Sequence, residues 1–168
     1  MPAFHPPLSL LLAAALLAAC SKVRSAPPPP ASPDDGVEVS PEAFRSLRWL
    51  EGRWQGSIVG ATPVYVAHEF ENDTLMRTRV YAGGSFSEAV DSGTIVLSGG
   101  RLLAEMGEGR WVADVVDDES LRLVRLANAP GEAAIRRLAP DRISVRWLWH
   151  DEQGGTQRRT FTLRRAGP

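Results

Sequence analysis

The spacing of apolar residues along this chain changes once, from three to two, and the change marks where the fold turns from helix to sheet. Phe44, Leu47 and Leu50 recur at spacing three and form one apolar stripe. Ahead of them, Ser40 offers an N-cap hydroxyl, Pro41 suits the first helical position, and Glu42 sits near the positive end of the helix dipole. Gly52 ends the segment. From there the period is two. Val64, Val66, His68 and Phe70 alternate with Tyr65, Ala67, Glu69 and Glu71, and Met76 shares a face with Val80. Ile143, Val145, Trp147 and Trp149 stand opposite Ser144, Arg146 and Leu148, and Phe161 and Leu163 continue the pattern. Turn signals separate the runs: Asn72-Asp73, Gly83-Gly84, Gly99-Gly100, Asp117-Asp118, Ala129-Pro130-Gly131, Pro140-Asp141 and Gly154-Gly155. Many short alternating strands predict an all-β domain. A sheet with one apolar face gains most by closing on itself, which leaves no exposed edges. The expectation is an antiparallel up-and-down β-barrel of eight to ten strands with one short N-terminal helix, and a two-sheet sandwich is the alternative.

A second apolar segment, Leu8 to Ala19, precedes the domain and is broken only by Ser9. It is too short to cross a bilayer core, which takes about 20 residues, and has the length of a secretory signal. It ends in Leu17-Ala18-Ala19-Cys20, and Cys20 is the single cysteine, so no internal disulfide is available. The tetrapeptide resembles the lipobox of bacterial lipoproteins. That resemblance implies cleavage before Cys20 and lipid on its thiol, against a plain secretory signal that would leave the thiol free. Ser21 in the next position implies the outer membrane, on its periplasmic side. Pro27, Pro28, Pro29, Pro30 and Pro33 favour an extended polyproline tether. The expected organisation is a signal peptide over 1–19, a lipidated cysteine and tether over 20–40, and a β-barrel domain over 41–166.

Charge and composition narrow the chemistry. Formal net charge is −1, from 19 basic and 20 acidic residues. The basic residues are spread through the sequence, so nucleic acid is not an expected partner. Downstream of the signal segment only His68 and His150 remain, too few and too far apart for the local spacing of a metal site. No Gly-x-Ser-x-Gly elbow supports a nucleophile. Gly83-Gly84, Gly99-Gly100 and Gly107-Glu108-Gly109 read as hairpin turns rather than phosphate loops. No catalytic residue is assigned, and an enzyme is not expected.

The run Leu47-Arg48-Trp49-Leu50-Glu51-Gly52-Arg53-Trp54-Gln55-Gly56, a short helix entering Gly-x-Trp-x-Gly, resembles the entry of the calycin superfamily. It is similar to short bacterial lipocalin-like proteins and to nitrobindin-like heme barrels, whose last strand also reads like Thr162-Leu163-Arg164-Arg165. The resemblance implies that Trp54 plugs the closed end of a barrel whose interior holds a ligand. In the heme barrels a histidine ligates iron at the position taken here by Arg158, and a guanidinium cannot. No cofactor, heme included, is therefore expected. Trp54, His68, Phe70, Trp147, Trp149 and Arg158 are the cavity-lining candidates. The expected function is a membrane-tethered envelope lipoprotein whose barrel binds a small apolar ligand. The alternatives are a solid barrel acting on a protein partner of unspecified kind and, third, a heme-binding barrel.

Overall fold

In a computed structural model of the chain, the residues described are 36–57, 63–82, 85–151 and 153–167. Cys20, the expected signal peptide over 1–19 and all but the last few residues of the expected tether lie outside them. Ten strands follow a short helical entry. They are β1 (Gly52–Ser57), β2 (Pro63–Asn72), β3 (Leu75–Tyr81), β4 (Ala89–Ser98) and β5 (Arg101–Met106), then β6 (Gly109–Val116), β7 (Ser120–Ala127), β8 (Gly131–Ala139), β9 (Arg142–His150) and β10 (Thr156–Arg165). Each pairs antiparallel with its neighbours in sequence, and β10 pairs with β1 to close the barrel. This is the up-and-down barrel the alternation predicts, with ten strands.

Closure sets the register of everything else. Trp54 faces Arg165, Gln55 faces Arg164 and Gly56 faces Leu163 across the β1–β10 seam. Both glycines of Gly-x-Trp-x-Gly are explained here. Gly52 has φ 114°, and a Cβ on it would collide with the Arg165 guanidinium. A Cβ on Gly56 would collide with the Thr162 carbonyl oxygen and the Leu163 side chain. Between them Trp54 is fully buried; its Nε1 donates to the Leu50 carbonyl at 2.6 Å, and the Arg165 guanidinium lies 4.4 Å from its ring centroid. Arg165 also donates to the carbonyls of Trp49 and Glu51, so one side chain from the last strand ties down the chain that enters the first.

The entry segment is a plug. The α-helix α1 spans Pro41–Ser46, and Ser40 caps it as expected, its Oγ accepting from the Ala43 N–H at 3.2 Å. At Leu47 the helix tightens into a 3₁₀ turn, Leu47–Leu50. That narrowing suits Phe44, Leu47 and Leu50, because residues three apart eclipse in a 3₁₀ helix; all three are fully buried. Trp49 Nε1 donates to the Asp117 carbonyl at 3.4 Å, and Arg45 and Arg48 pair with Asp73 at 3.7 and 3.8 Å. The plug thus closes the end that carries the β2–β3 and β6–β7 turns. Beneath it Met76, Leu102, Leu121, Ile143 and Leu163 are also completely buried, so this half of the barrel is packed solid.

The expected tether, 20–40, ends differently from a free spacer. Val37 N–H donates to the Ala113 carbonyl at 3.1 Å and Val39 N–H to the Gly100 carbonyl at 2.9 Å. Val39 is buried, and Val112 on the outer face of β6 is buried where Gly36 lies against it. Residues 36–40 therefore belong with the folded domain as a strap, and the domain begins about five residues before the expected Pro41.

Trp54→Ala should lower unfolding free energy by about 3–5 kcal/mol through lost burial and the cavity left behind. Gly52→Ala should cost about 1–3 kcal/mol through its positive φ. Urea unfolding followed by far-ultraviolet circular dichroism measures both, and an unchanged midpoint for either would contradict this account of the seam.

Candidate functional site

The open half of the barrel is built from the same alternation but is filled differently. On β9, Ile143 and Val145 lie deep, and Trp147 and Trp149 continue the inward face toward the open end. Trp111 of β6 meets Trp147 edge to face at 6.1 Å, and its Nε1 donates to the Gly131 carbonyl at 2.7 Å. These indoles do not fill the space. An apolar cavity of about 110 Å³ remains, lined by Ile95, Met106, Trp111, Leu123, Val145 and Trp147, with Thr78 on its wall. A wider recess of about 360 Å³ opens beyond it, between Pro130, Trp147, Trp149, Arg159 and Phe161. Trp147 lines both, so floor and mouth share one indole.

Arg159 is the residue that sequence reading missed. The β9–β10 register pairs it with Trp147 and pairs Arg158 with Leu148. Arg159 therefore shares the inward face with Phe161 and Leu163, and its guanidinium lies 5.7 Å from the Trp149 ring centroid. A cation over an indole at that distance is attracted by the ring quadrupole. The signal was available: counting by twos back from Leu163 and Phe161 reaches 159. Arg158, taken as a cavity candidate, points outward into a groove with Arg122, Glu132, Arg146 and Leu148. A side chain at position 158 does not reach the interior.

The other candidates divide by depth. Trp54 belongs to the packed floor. Phe70 meets Phe44 edge to face at 5.3 Å beneath Arg48, so it supports the plug rather than a cavity. His68 lies between these levels, 7% exposed, with Nδ1 2.9 Å from the Thr78 hydroxyl. Burial pushes its pKa down to about 4, so it is a neutral imidazole at pH 7. His68 and Thr78 are the only buried polar side chains among the described residues. His150 lies at the rim, 3.3 Å from the Thr156 hydroxyl. No group of three metal-ligating side chains comes together among the described residues.

The rim beside Arg159 is held by its hairpin. The Asp151 carboxylate accepts from the Gln157 amide at 2.7 Å and from the backbone N–H groups of Gly155 and Gln153 at 2.6 and 3.1 Å. The Gln157 bond is the main reason its pKa falls below the usual aspartate range. The turn that presents Trp149 and Arg159 is thus internally braced.

No protein-family model and no curated protein matches the chain. Among solved structures it is similar to the crystal structure of Rv2717c from M. tuberculosis, at 13% identity over 77% of this chain and 99% of that one, with a TM-score of 0.48. It is similar to EF1p2_mFAP2b bound to DFHBI at 14% identity, over 74% and 99% of the two chains, with a TM-score of 0.40. A redesigned beta barrel, b11L5F_LGL, aligns at 11% identity over 73% and 96%, with a TM-score of 0.37. None of these likenesses bears on what this chain binds.

The buried imidazole gives the barrel a pH dependence with a definite sign. His68 takes up a proton near pH 6.5 when unfolded and only near pH 4 when folded. Its contribution is fully present above pH 6.5 and is lost as pH falls toward 4. By pH 5 this single group should cost on the order of 2 kcal/mol. Denaturant midpoints at pH 7 and pH 5 measure it, and His68→Leu should remove that part of the difference.

Proposed function

We propose that this protein is an envelope lipoprotein whose barrel binds a small, mostly apolar ligand at its open end. The observation that carries the reading is the asymmetry of the interior. One half is packed solid under the helical plug, and the other keeps an apolar cavity with an indole-lined recess next to it, Trp147 lining both. A side-chain-filled barrel has no need of such a void, since each unfilled volume forfeits contacts. Ligand sites are concave and mostly apolar, with a few placed polar groups. Arg159 is such a group: over Trp149, at the rim, it can receive an acidic substituent while the planar body of a ligand lies against Trp147.

Native mass spectrometry on protein purified without detergent should show a reproducible added mass, and titration with anilinonaphthalene sulfonate should saturate. Trp149→Ala should weaken that binding about tenfold or more through lost apolar contact. Arg159→Gln should weaken an acidic ligand by about ten- to a hundredfold and leave a neutral one unaffected. A bare polypeptide mass with no saturable binding would favour the solid-barrel alternative, in which the outer surface does the work.

The anchor has its own test. At high salt, Cys20→Ser should move the protein from the membrane to the soluble envelope fraction, since the proposed attachment is one acylated thiol. Retention on the membrane after extraction at high salt would contradict lipidation.

A further inference from the structure

Arginines that are scattered in the sequence are gathered by the barrel onto one outer face. On β8, β9 and β10 the outward positions include Arg136, Arg142, Arg146, Arg158 and Arg164, all exposed. The register sets them in rows. Arg142 faces Arg164, Ser144 lies between Arg136 and Thr162, Arg146 between Ala134 and Thr160, and Leu148 between Glu132 and Arg158. At about 6.8 Å for every two residues along a strand and about 4.8 Å between strands, these guanidiniums share a patch roughly 20 Å long and 10–15 Å wide.

Elsewhere on the outer wall several arginines are paired with carboxylates, although Arg53 on β1 lies over the Phe86 ring instead. Arg77 pairs with Glu71 at 2.5 Å, Arg79 with Glu69 at 3.1 Å, Arg110 with Glu105 at 3.0 Å, and Arg122 with Asp114. Among the described residues no ion pair neutralises Arg136, Arg142, Arg146, Arg158 or Arg164, and Glu132 is the one carboxylate set among their rows. Arg142 opposite Arg164 is a like-charge pair in direct register, which costs stability. A groove of about 270 Å³ runs between Arg122, Arg146 and Arg158, and Leu138, 51% exposed, stands on the same strand as Arg136. The basic residues are thus clustered in space although not in sequence.

We propose that this face is a docking surface for an anionic phospholipid bilayer, with head-group phosphates received between Arg146 and Arg158. Guanidinium forks match phosphate oxygens in bidentate geometry, and a negative membrane surface attracts each nearby arginine. The strip is the exposed side of a sheet, suited to an extended charged plane. The inference leans on the lipid anchor for proximity only. Extended backbone from Cys20 to Gly36 spans up to about 50 Å, which lets the face meet the same membrane. The mouth at the end of the barrel is a separate surface.

The test uses the chain from Ser21 onward, which has no acylation site and retains every described contact, so the anchor and the face fail independently. Co-sedimentation with vesicles of phosphatidylglycerol and phosphatidylcholine should show binding that rises with the anionic fraction and weakens steeply with added salt. Arg146→Gln with Arg158→Gln should weaken binding on the order of 20-fold. Arg77→Gln with Arg79→Gln, which removes the same formal charge from another face, should stay within about threefold. Circular dichroism checks that both variants remain folded, and Arg136→Gln with Arg164→Gln provides a second pair on the same face. Equal binding to pure phosphatidylcholine, or anionic binding that both face variants retain, would overturn the proposal. Tighter binding to a DNA duplex than to the anionic vesicles would overturn it in favour of nucleic acid.

Discussion

The contact on which the rest of the structure depends is the seam between the first strand and the last. Arg165 stacks over Trp54 and holds the carbonyls of Trp49 and Glu51, so the end of the chain fixes the approach of its beginning. Until that seam forms, β1 and β10 each leave an unpaired row of backbone groups and the plug has no floor to sit on. Its formation joins residues more than a hundred positions apart, which makes it costly in loop-closure entropy and places the fold among slow-folding topologies. The small residues on the seam follow from this. Gly52 and Gly56 are places where β10 comes too close for a side chain.

Closure also explains why the two ends of the barrel differ. At the plugged end, aliphatic residues from successive strands meet Trp54, Phe44 and Leu50 with nothing left over. Toward the open end the inward positions carry indoles and an arginine, and flat rings meeting edge to face leave gaps that branched aliphatics would fill. The rigid half supports the half with the void. A cavity is tolerable there because its cost is borne by a core already complete beneath it, and because the braced Asp151 turn keeps the rim from collapsing inward.

Much of this was legible in the chain. The alternation in β2 and β9 assigned Val66, His68, Trp147 and Trp149 to the interior, and the turn dipeptides marked most hairpins. The Ser40 cap and the Gly-x-Trp-x-Gly entry were readable as well. What failed did so for physical reasons. In β10 the run Gln157-Arg158-Arg159-Thr160 is polar on both faces, so hydrophobicity carries no parity there. Only the count from Phe161 and Leu163 distinguishes Arg159 from Arg158. The strap from Gly36 to Ser40 buries a single valine and is held by main-chain bonds, which leave no periodic trace. The arginine face could not be seen at all in one dimension. Its members lie at alternate positions on three strands and meet only when the sheet is assembled.

A barrel that closes in one ring has no strand that is an edge along its whole length. In the reading proposed above, recognition falls to side chains: the indoles and Arg159 at the mouth, the guanidiniums along β8 to β10. Most of those side chains sit apart from the seam and the packed floor, and Arg164, opposite Gln55, stands on the seam but points outward. The sequence is therefore partitioned into positions that keep the vessel whole and positions that decide what it meets. The second set can vary one residue at a time, so that descendants of this chain could change their mouth or their outer surface while inheriting the same closed wall.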